Sequence, residues 1–361
     1  MGKLINKKII KSETVYDLSI KDNHNFYANN ILVHNCSNKS SLQSGNLLKL
    51  DADYKVGCTG TLIINDCISA YCPLYFTGND HATLTNFKAQ YCEFGGFGGC
   101  EVIGYKNLEI LKDELDHCSI RRTFKDVRGD MPTKTIDYEL VELDDRHRKF
   151  YEAIKNGVKE EADKIELNAN NLLALTTRLR QATSCPTVLT TENIKSSKLE
   201  RAVEITEDLL ESGEKVIIMS HFKESVNVLK EALSKYSPLL GTGDQSEIET
   251  QKNVDNFRFT NKNLLIGTAQ KIGTGFSMPE CHYMILVDMP FTASLLSQET
   301  DRIFRITSKD PVYIKILLCK DTIDEHVKEI VDDKQDLSDY IVDDKLSDKL
   351  ANKLRDIITK L

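Results

Sequence analysis

The sequence lacks a long apolar run and a phosphate-binding loop, and both absences limit what the chain can do. No stretch approaches the roughly 20 apolar residues that cross a bilayer, and no apolar leader follows the basic residues 1–8. The pattern Gly-x-x-x-x-Gly-Lys-Ser/Thr is also missing, and the glycine-rich residues 95–99 lack the lysine that would complete it. We therefore expect a cytoplasmic protein with no membrane partner, which does not hydrolyse a nucleoside triphosphate by itself.

Regular cysteine spacing and positive net charge are missing as well. The ten cysteines include no Cys-x-x-Cys pair, so Cys72, Cys92, Cys100 and Cys118 do not predict a zinc site. In a reducing compartment the cysteines fit better as small buried hydrophobic residues, apart from one candidate nucleophile at Cys36. The net charge of −8 excludes general attraction to nucleic acid, so contact with DNA requires a local basic patch.

Apolar strands alternate with amphipathic helices over most of the chain. A helix is predicted at residues 197–211, with a capping box from Ser197 to Glu200 and an end before Gly213. Residues 146–180 predict a charged helical element that connects or protrudes. Strands are predicted at residues 55–58, 215–220, 263–268, 283–288 and 312–319. Apolar strands separated by such helices indicate a parallel sheet covered on both faces, and the length of 361 residues favours two domains.

The segment that ends at Cys36 carries side chains that can break and form peptide bonds. Residues 15–20 and 29–34 predict two short strands around a polar turn at residues 22–25, which would also fit an ordinary N-terminal hairpin. The Asn35 side-chain amide can attack its own backbone carbonyl and cut the chain after itself, while His34 moves the protons near neutral pH. The thiolate of Cys36 can attack a thioester. This ending favours autocatalytic chemistry over the hairpin.

This segment closely resembles the C-terminal splicing motifs of inteins, over nearly all of residues 1–35. The resemblance implies that Asp17 and His24 belong to the first motif, with His34, Asn35 and Cys36 as penultimate histidine, cyclising asparagine and first extein residue. It departs at Asn30, where inteins usually have glycine, a turn position that asparagine also tolerates. Because Met1 opens the chain so close to this motif, we expect a naturally split intein that splices in trans without ATP or metal. An engineered arrangement is the alternative.

Two arginines and a glycine-containing turn mark a second candidate site. Arg302 and Arg305 follow Gln298 at a spacing that predicts one helical face, which suits the clamping of a transferred phosphoryl group. Taken alone, the two arginines would fit better as an exposed pair in ordinary surface salt bridges. The turn at residues 271–275, after the strand that ends at Thr268, lets the backbone approach a ligand.

In order along the chain, these features resemble motifs V and VI of superfamily-two helicases, and further matches indicate the Swi/Snf-type ATPases. The matching segments are TGTLIIND (59–66), with Leu62 in place of proline, GYKNLEIL (104–111), IRRTFKDV (120–127), MPTKT (131–135), RLRQATSCP (178–186), SKLERAVEI (197–205) and KVIIMSHF (215–222). The resemblance implies arginine fingers at Arg302 and Arg305, a nucleotide cleft lined by Gln298, Gly273 and Gly275, and coupling to DNA through Thr59, Gly60, Thr61, Thr268 and Lys271. For Arg121, Arg122 and Lys125, packing or ion pairing at a domain junction is as good an interpretation as contact with DNA.

These resemblances predict an α/β protein with RecA-like parallel-sheet lobes and helical protrusions, preceded by a small all-β split-intein (Hint-type) fragment. The expected domains are the intein fragment (1–35), the end of lobe 1 (36–136), a helical linker (137–195), lobe 2 (196–340) and a helical tail (341–361). Because the DExH carboxylates of the family precede motif III, the splice junction would fall just after them. An N-terminal partner polypeptide would then supply its intein half, the P-loop and DExH.

The spliced product would be an ATP- and Mg²⁺-dependent translocase on double-stranded DNA. Two alternatives remain: a non-catalytic DNA- or protein-binding remnant of a helicase-like gene, or an intein fragment limited to C-terminal cleavage.

Overall fold

The chain folds into two compact units, Met1–Arg121 and Arg122–Leu361. A computed structural model describes residues 26–28, 31–34, 55–57, 67–78, 83–95, 101–120, 127–162, 164, 169–273, 275–332, 341–342, 345–346 and 357–358. No helix among these residues is long and apolar enough to cross a membrane.

The first unit combines two small sheets with short helices. Its described elements are β1 (Phe26–Ala28), β2 (Ile31–His34), β3 (Lys55–Gly57), α1 (Tyr71–Phe76), α2 (Leu84–Tyr91), β4 (Cys92–Gly95), β5 (Glu101–Tyr105) and α3 (Leu108–Cys118). Strand β2 pairs antiparallel with β1 and parallel with β3, while β4 and β5 form an antiparallel hairpin. The aromatic rings of Tyr71, Phe87 and Tyr91 pack in a core that also buries Cys67, Cys72 and Cys92. Burial of these thiols agrees with their predicted role as small hydrophobic residues, whereas Cys118 of the same unit is exposed and departs from that prediction.

The second unit alternates strands and helices as predicted. Its helices are α4 (Asp145–Ala162), α5 (Ala169–Ser184), α6 (Ser197–Glu211), α7 (Lys223–Ala232), α8 (Glu247–Phe259), α9 (Ala269–Ile272), α10 (Ala293–Thr300) and α11 (Ile323–Asp332). Its strands are β6 (Lys134–Val141), β7 (Val216–Ser220), β8 (Leu239–Gly241), β9 (Leu264–Thr268), β10 (Tyr283–Leu286), β11 (Val312–Cys319), β12 (Ile341–Val342) and β13 (Lys345–Leu346). Within the described residues, six strands form one parallel sheet in the order β6-β11-β10-β7-β9-β8.

The sheet is buried on both faces because its apolar strands present alternate side chains to two separate cores. Ile217 and Met219 of β7 point into the larger core, which α4, α5 and α11 cover. Val216 and Ile218 of the same strand point into the core that α6 and α7 cover. All five residues of β7 and of β9 are buried. This two-sided burial confirms the predicted parallel sheet.

Three local predictions differ from the structure. Helix α6 is capped by Ser196, whose side chain accepts a hydrogen bond from the amide of Leu199, whereas the sequence predicted Ser197 as the cap. The expected domain boundary at residue 136 falls inside β6, because this strand pairs along its whole length with β11. The predicted linker at 137–195 includes α4 and α5, which pack on the sheet and bury Tyr151, so these helices belong to the second unit.

Candidate functional site

Loops at the carboxyl ends of β7, β9 and β10 bring together the second candidate site. Thr268 is the last residue of β9 and is buried, and the short helix α9 carries the half-buried Lys271 directly after it. In open parallel sheets, ligands bind at this edge. Thr268 and Lys271 therefore lie where a ligand-binding loop is expected.

The two predicted glycines after α9 are needed for different reasons, close packing at Gly273 and a positive φ at Gly275. A Cβ atom on Gly273 would lie 2.3 Å from the carbonyl oxygen of Ala269 and 3.2 Å from Cγ of Glu299, so a larger residue would displace the turn. Gly275 has φ of +78°, a conformation that favours glycine, and open space surrounds its missing Cβ. Gly273 thus allows close packing against α10, and Gly275 allows a left-handed backbone conformation in the bend.

The arginines lie beyond the helix on which the sequence placed them. Helix α10 ends at Thr300, and Arg302 and Arg305 follow in a turn. Their side chains still converge: Arg302 Nη1 donates to the carbonyl oxygen of Phe276 at 3.2 Å, and Arg305 Nη2 reaches the same oxygen at 3.5 Å. Arg302 Nε also donates to the carbonyl of Gln298 at 2.8 Å. The structure therefore brings both guanidinium groups to the loop that follows Gly275.

Three side chains near this loop have a buried polar atom that lacks a hydrogen-bond partner. Among the described residues these atoms are Nε of Arg305, Oε2 of Glu299 and Nε2 of His221. Glu299 is only 4% exposed, and its Oε1 lies 3.3 Å from Nε2 of His221, at the end of β7. Because buried polar groups normally have partners, these unsatisfied atoms suit a site that binds a ligand.

A buried charged cluster, which sequence reasoning missed, lies at the same edge of the sheet. Nζ of Lys198 is 2.6 Å from Oδ2 of Asp324 and 3.9 Å from Oδ1 of Asp288, and the lysine is 1% exposed. Asp288 also accepts hydrogen bonds from Ser184, from Ser220 and from the amide of His221. Arg180 is the second cation of the cluster, and its Nη2 donates to the carbonyl of Met289 at 2.6 Å. The buried cluster thus consists of Arg180, Lys198, Asp288 and Asp324.

The opposite charges of this cluster keep each other ionised. Burial opposes the charge of Lys198, but the negative charges of Asp324 and Asp288 outweigh it and raise the pKa of the amine. Burial likewise opposes ionisation of Asp288, but Lys198, Arg180 and the hydroxyl hydrogen bonds lower the pKa of the carboxyl. For Arg180 burial prevails and lowers the pKa. The only signal in the sequence was the position of the cations within RLRQATSCP and SKLERAVEI.

The remaining predicted site residues fall outside the described part of the chain. These are Asp17, His24, Asn35, Cys36, Thr59, Gly60 and Thr61, together with Arg121, Arg122 and Lys125. His34 is the last residue of β2, and the described hairpin joins β1 to β2, whereas the sequence predicted its first strand at residues 15–20. Among the described residues no group of three His, Cys, Asp or Glu stands close enough to hold a metal ion.

Comparisons with known proteins match most of the chain to two domain families. Residues 32–188 match the SNF2-related domain, and residues 197–307 match the helicase conserved C-terminal domain. An uncharacterised ATP-dependent helicase of Mycoplasma pneumoniae is 24% identical over 307 residues, which cover 82% of this chain and 28% of the relative. The chain thus spans less than a third of that protein's length.

Solved structures show the same fold. The Sulfolobus solfataricus SWI2/SNF2 ATPase core in complex with dsDNA aligns with a TM-score of 0.51 at 20% identity, covering 90% of this chain and 68% of that one. The C-terminal part of the Fun30 ATPase domain aligns with a TM-score of 0.52 at 20% identity, covering 64% of this chain and all of that one. The six-stranded parallel sheet therefore matches the lobes of such ATPase cores. Residues 32–188 and 197–307 therefore resemble, in this order, the SNF2-related and helicase C-terminal domains of Swi/Snf-type superfamily-two helicases.

Proposed function

We propose that the second unit is the arginine-bearing lobe of an ATP-driven translocase on double-stranded DNA. One observation carries the proposal: the guanidinium groups of Arg302 and Arg305 converge on the Phe276 carbonyl beside the glycine turn, and Nε of Arg305 has no partner among the described residues. A guanidinium with free donors at the ligand-binding edge of a parallel sheet suits the developing charge of a transferred phosphoryl group.

In this proposal the residues of the chain position and neutralise charge. Arg305 would turn from its long contact with Phe276 towards the γ-phosphate, while Arg302 stays anchored on the carbonyls of Gln298 and Phe276. Gln298, Gly273 and Gly275 would line the nucleotide cleft. The two cations suit phosphate and do not suit a divalent cation, so Mg²⁺ would be held by carboxylates of the partner half and would neutralise the phosphates there.

Coupling to DNA is proposed for residues at the same edge of the sheet. Thr268 and Lys271 lie on β9 and α9, directly before the glycine turn. A movement of the turn on nucleotide binding would therefore be passed to them directly along the backbone. Thr59, Gly60 and Thr61 are proposed to couple in the same way from the SNF2-related domain, and the double-stranded DNA in the Sulfolobus structure supports this choice of substrate.

The chain alone is expected to show no ATP hydrolysis, with or without double-stranded DNA. It has no P-loop lysine to hold the β- and γ-phosphates, so the arginines have no positioned substrate. A coupled ATPase assay on the purified 361-residue chain tests this expectation. DNA-stimulated turnover by the chain alone would contradict the assignment. If a joined protein with a P-loop half is equally inactive, the chain is a non-catalytic remnant.

We also propose that residues 1–35 act as the C-terminal half of a split intein. The support is the spacing of Asp17, His24, His34, Asn35 and Cys36, which places an acid–base group, a cyclising amide and a thiol at one junction. A partner half would form a thioester that Cys36 attacks, the Asn35 side chain would then cleave the branch, and an S-to-N shift would leave a peptide bond. The product, here called the joined protein, would contain residues 36–361 and the partner's extein.

Replacing Asn35 by alanine is expected to stop the joining reaction. Without the side-chain amide the branched intermediate cannot be resolved, so ligated product should fall below detection while the thiol of Cys36 remains available. Intact-mass measurement after mixing with candidate N-terminal halves gives the result directly. Free extein beginning at Cys36, without ligation, would indicate cleavage only. An unchanged mass of the unmodified chain with every half would remove the splicing proposal.

A further inference from the structure

The loop that leads into α10 contains no helix or strand, yet the buried Arg180 contacts it through a hydrogen bond and an aromatic ring. Residues 289–291 lie in the middle of the segment 287–292, which joins β10 to α10 and contains no helix or strand. The guanidinium of Arg180, from α5, donates to the carbonyl of Met289 at 2.6 Å. Its carbon lies 4.4 Å from the ring centre of Phe291 and 5.8 Å from that of Phe222. One side chain thus fixes both a carbonyl and an aromatic ring of the loop.

The loop determines where α10 begins. Thr292 caps the helix, because its hydroxyl accepts a hydrogen bond from the amide of Leu295 at 3.2 Å. The same helix carries Gln298, whose carbonyl accepts from Nε of Arg302 at 2.8 Å. A continuous set of contacts therefore runs from Arg180 through residues 289–292 and α10 to Arg302.

The other members of the buried cluster make the support by Arg180 rigid. Asp288 directly precedes the loop and is held by Ser220, the amide of His221 and the charges of Lys198 and Arg180. Arg180 is 6% exposed, so its guanidinium has no alternative water-facing position. Since the loop has few bonds of its own, loss of the Arg180 contacts should affect it first.

We propose that Arg180 is a positioning residue, which fixes residues 289–291 and thereby the orientation of α10, Gln298 and Arg302. The part that concerns turnover rests on the proposed ATPase function. The part that concerns the loop is a property of this chain by itself.

The test compares Arg180→Lys with Arg178→Lys, a matched control on the same helix. Arg178 pairs with Glu161 at a position where both side chains are 41% exposed, so its replacement leaves the loop unaffected. Lysine at 180 keeps the positive charge opposite Asp288 but does not hold a carbonyl and a ring at once. Arg180→Met, which removes the charge and keeps an unbranched, shorter side chain, is the second variant and should accelerate exchange of the same amides at least as much.

Hydrogen exchange of the full-length chain provides the first result. Arg180→Lys should accelerate exchange of amides at 289–296 by at least about tenfold, with exchange in β7 and β9 changed less, and Arg178→Lys should leave both unchanged. Equal acceleration across the sheet and the loop would indicate a general loss of stability and overturn the proposal. Unchanged exchange at 289–296 would overturn it as well.

Kinetics of the joined protein provide the second result. Arg180→Lys should lower kcat about tenfold or more with KM for ATP within about twofold. A displaced Arg302 would also displace Arg305, which shares the Phe276 carbonyl with it and makes the proposed transition-state contact, while ground-state binding is kept. A kcat equal to that of Arg178→Lys would overturn the positioning role. If the unmodified joined protein shows no DNA-stimulated hydrolysis, the proposed function fails, and the exchange experiment still decides whether Arg180 holds the loop.

Discussion

Arg305→Ala is expected to lower the ATP turnover of the joined protein by about 10³-fold, because it removes a guanidinium that stabilises the transferring phosphoryl group. The fold should tolerate this change. The only described side-chain hydrogen bond of Arg305 is the 3.5 Å contact with the Phe276 carbonyl, whereas Arg302 has contacts of 2.8 and 3.2 Å with two carbonyls. Arg305 is therefore the arginine whose loss separates catalysis from structure.

Steady-state kinetics with saturating double-stranded DNA give the measurement, and nucleotide affinity is followed separately. Affinity should change by no more than a few-fold, since a transition-state contact contributes little to the ground state. Arg305→Lys should recover little activity, because an ammonium group does not reproduce the two-pronged geometry of guanidinium.

Arg258→Ala is the control for the loss of a partly buried arginine, because Arg258 is 24% exposed and pairs with Glu280 through two 2.8 Å hydrogen bonds. If Arg305→Ala and Arg258→Ala reduce kcat equally, Arg305 has no special part in the reaction.

Four of the six strands in the parallel sheet were predicted from sequence, because near-continuous apolar runs have few alternatives to a buried parallel sheet, whereas β6 and β8 were not predicted. The prediction for β11 matches at both ends, and those for β7, β9 and β10 differ by one or two residues. The end of α10 was not predictable in this way. Residues spaced by three or four positions, as Arg302 and Arg305 are, occur in turns as well as in helices. The end of a helix depends on local hydrogen bonds, such as that from the amide of Asp301 to the carbonyl of Ser297.

The charged cluster shows a different limit. Lysine and aspartate are mostly exposed in proteins, so a sequence with 28% charged residues gives no reason to choose Lys198, Asp288 and Asp324 as buried partners. They meet only because α6, β10 and α11 pack at one edge of the sheet. For the splicing motif the situation is the opposite, because its chemistry can be predicted from adjacent residues in the sequence. Of its five residues only His34 lies in the described part of the chain, so the assignment stays a prediction.

Lys198→Ala is expected to destabilise the second unit by about 3–5 kcal/mol, because it leaves two buried carboxylates without their shared cation. Asp324 would lose a partner at 2.6 Å, and Asp288 would keep only Arg180 and its hydrogen-bond donors. The free energy of opening can be followed by hydrogen exchange of amides in β7, β10 and β11 under native conditions. Lys235→Ala removes an exposed ion pair with Glu207 and should leave that free energy nearly unchanged, because exposed ion pairs contribute little.

The pH dependence of this loss distinguishes a buried charge from a simple cavity. In the unmodified chain the lowered pKa of Asp288 contributes stability that is present above the unfolded value of about 3.9 and is lost as pH falls through the folded value. The raised pKa of Lys198 contributes stability that is present below its unfolded value of about 10.4, so both contributions are in place at pH 7. Without Lys198 the pKa of Asp288 should rise, so protonation relieves the unpaired charge, and the difference in stability between variant and unmodified chain should shrink from pH 8 to pH 5. A cavity alone would give the same difference at both pH values, and that outcome would assign Lys198 to packing and not to charge.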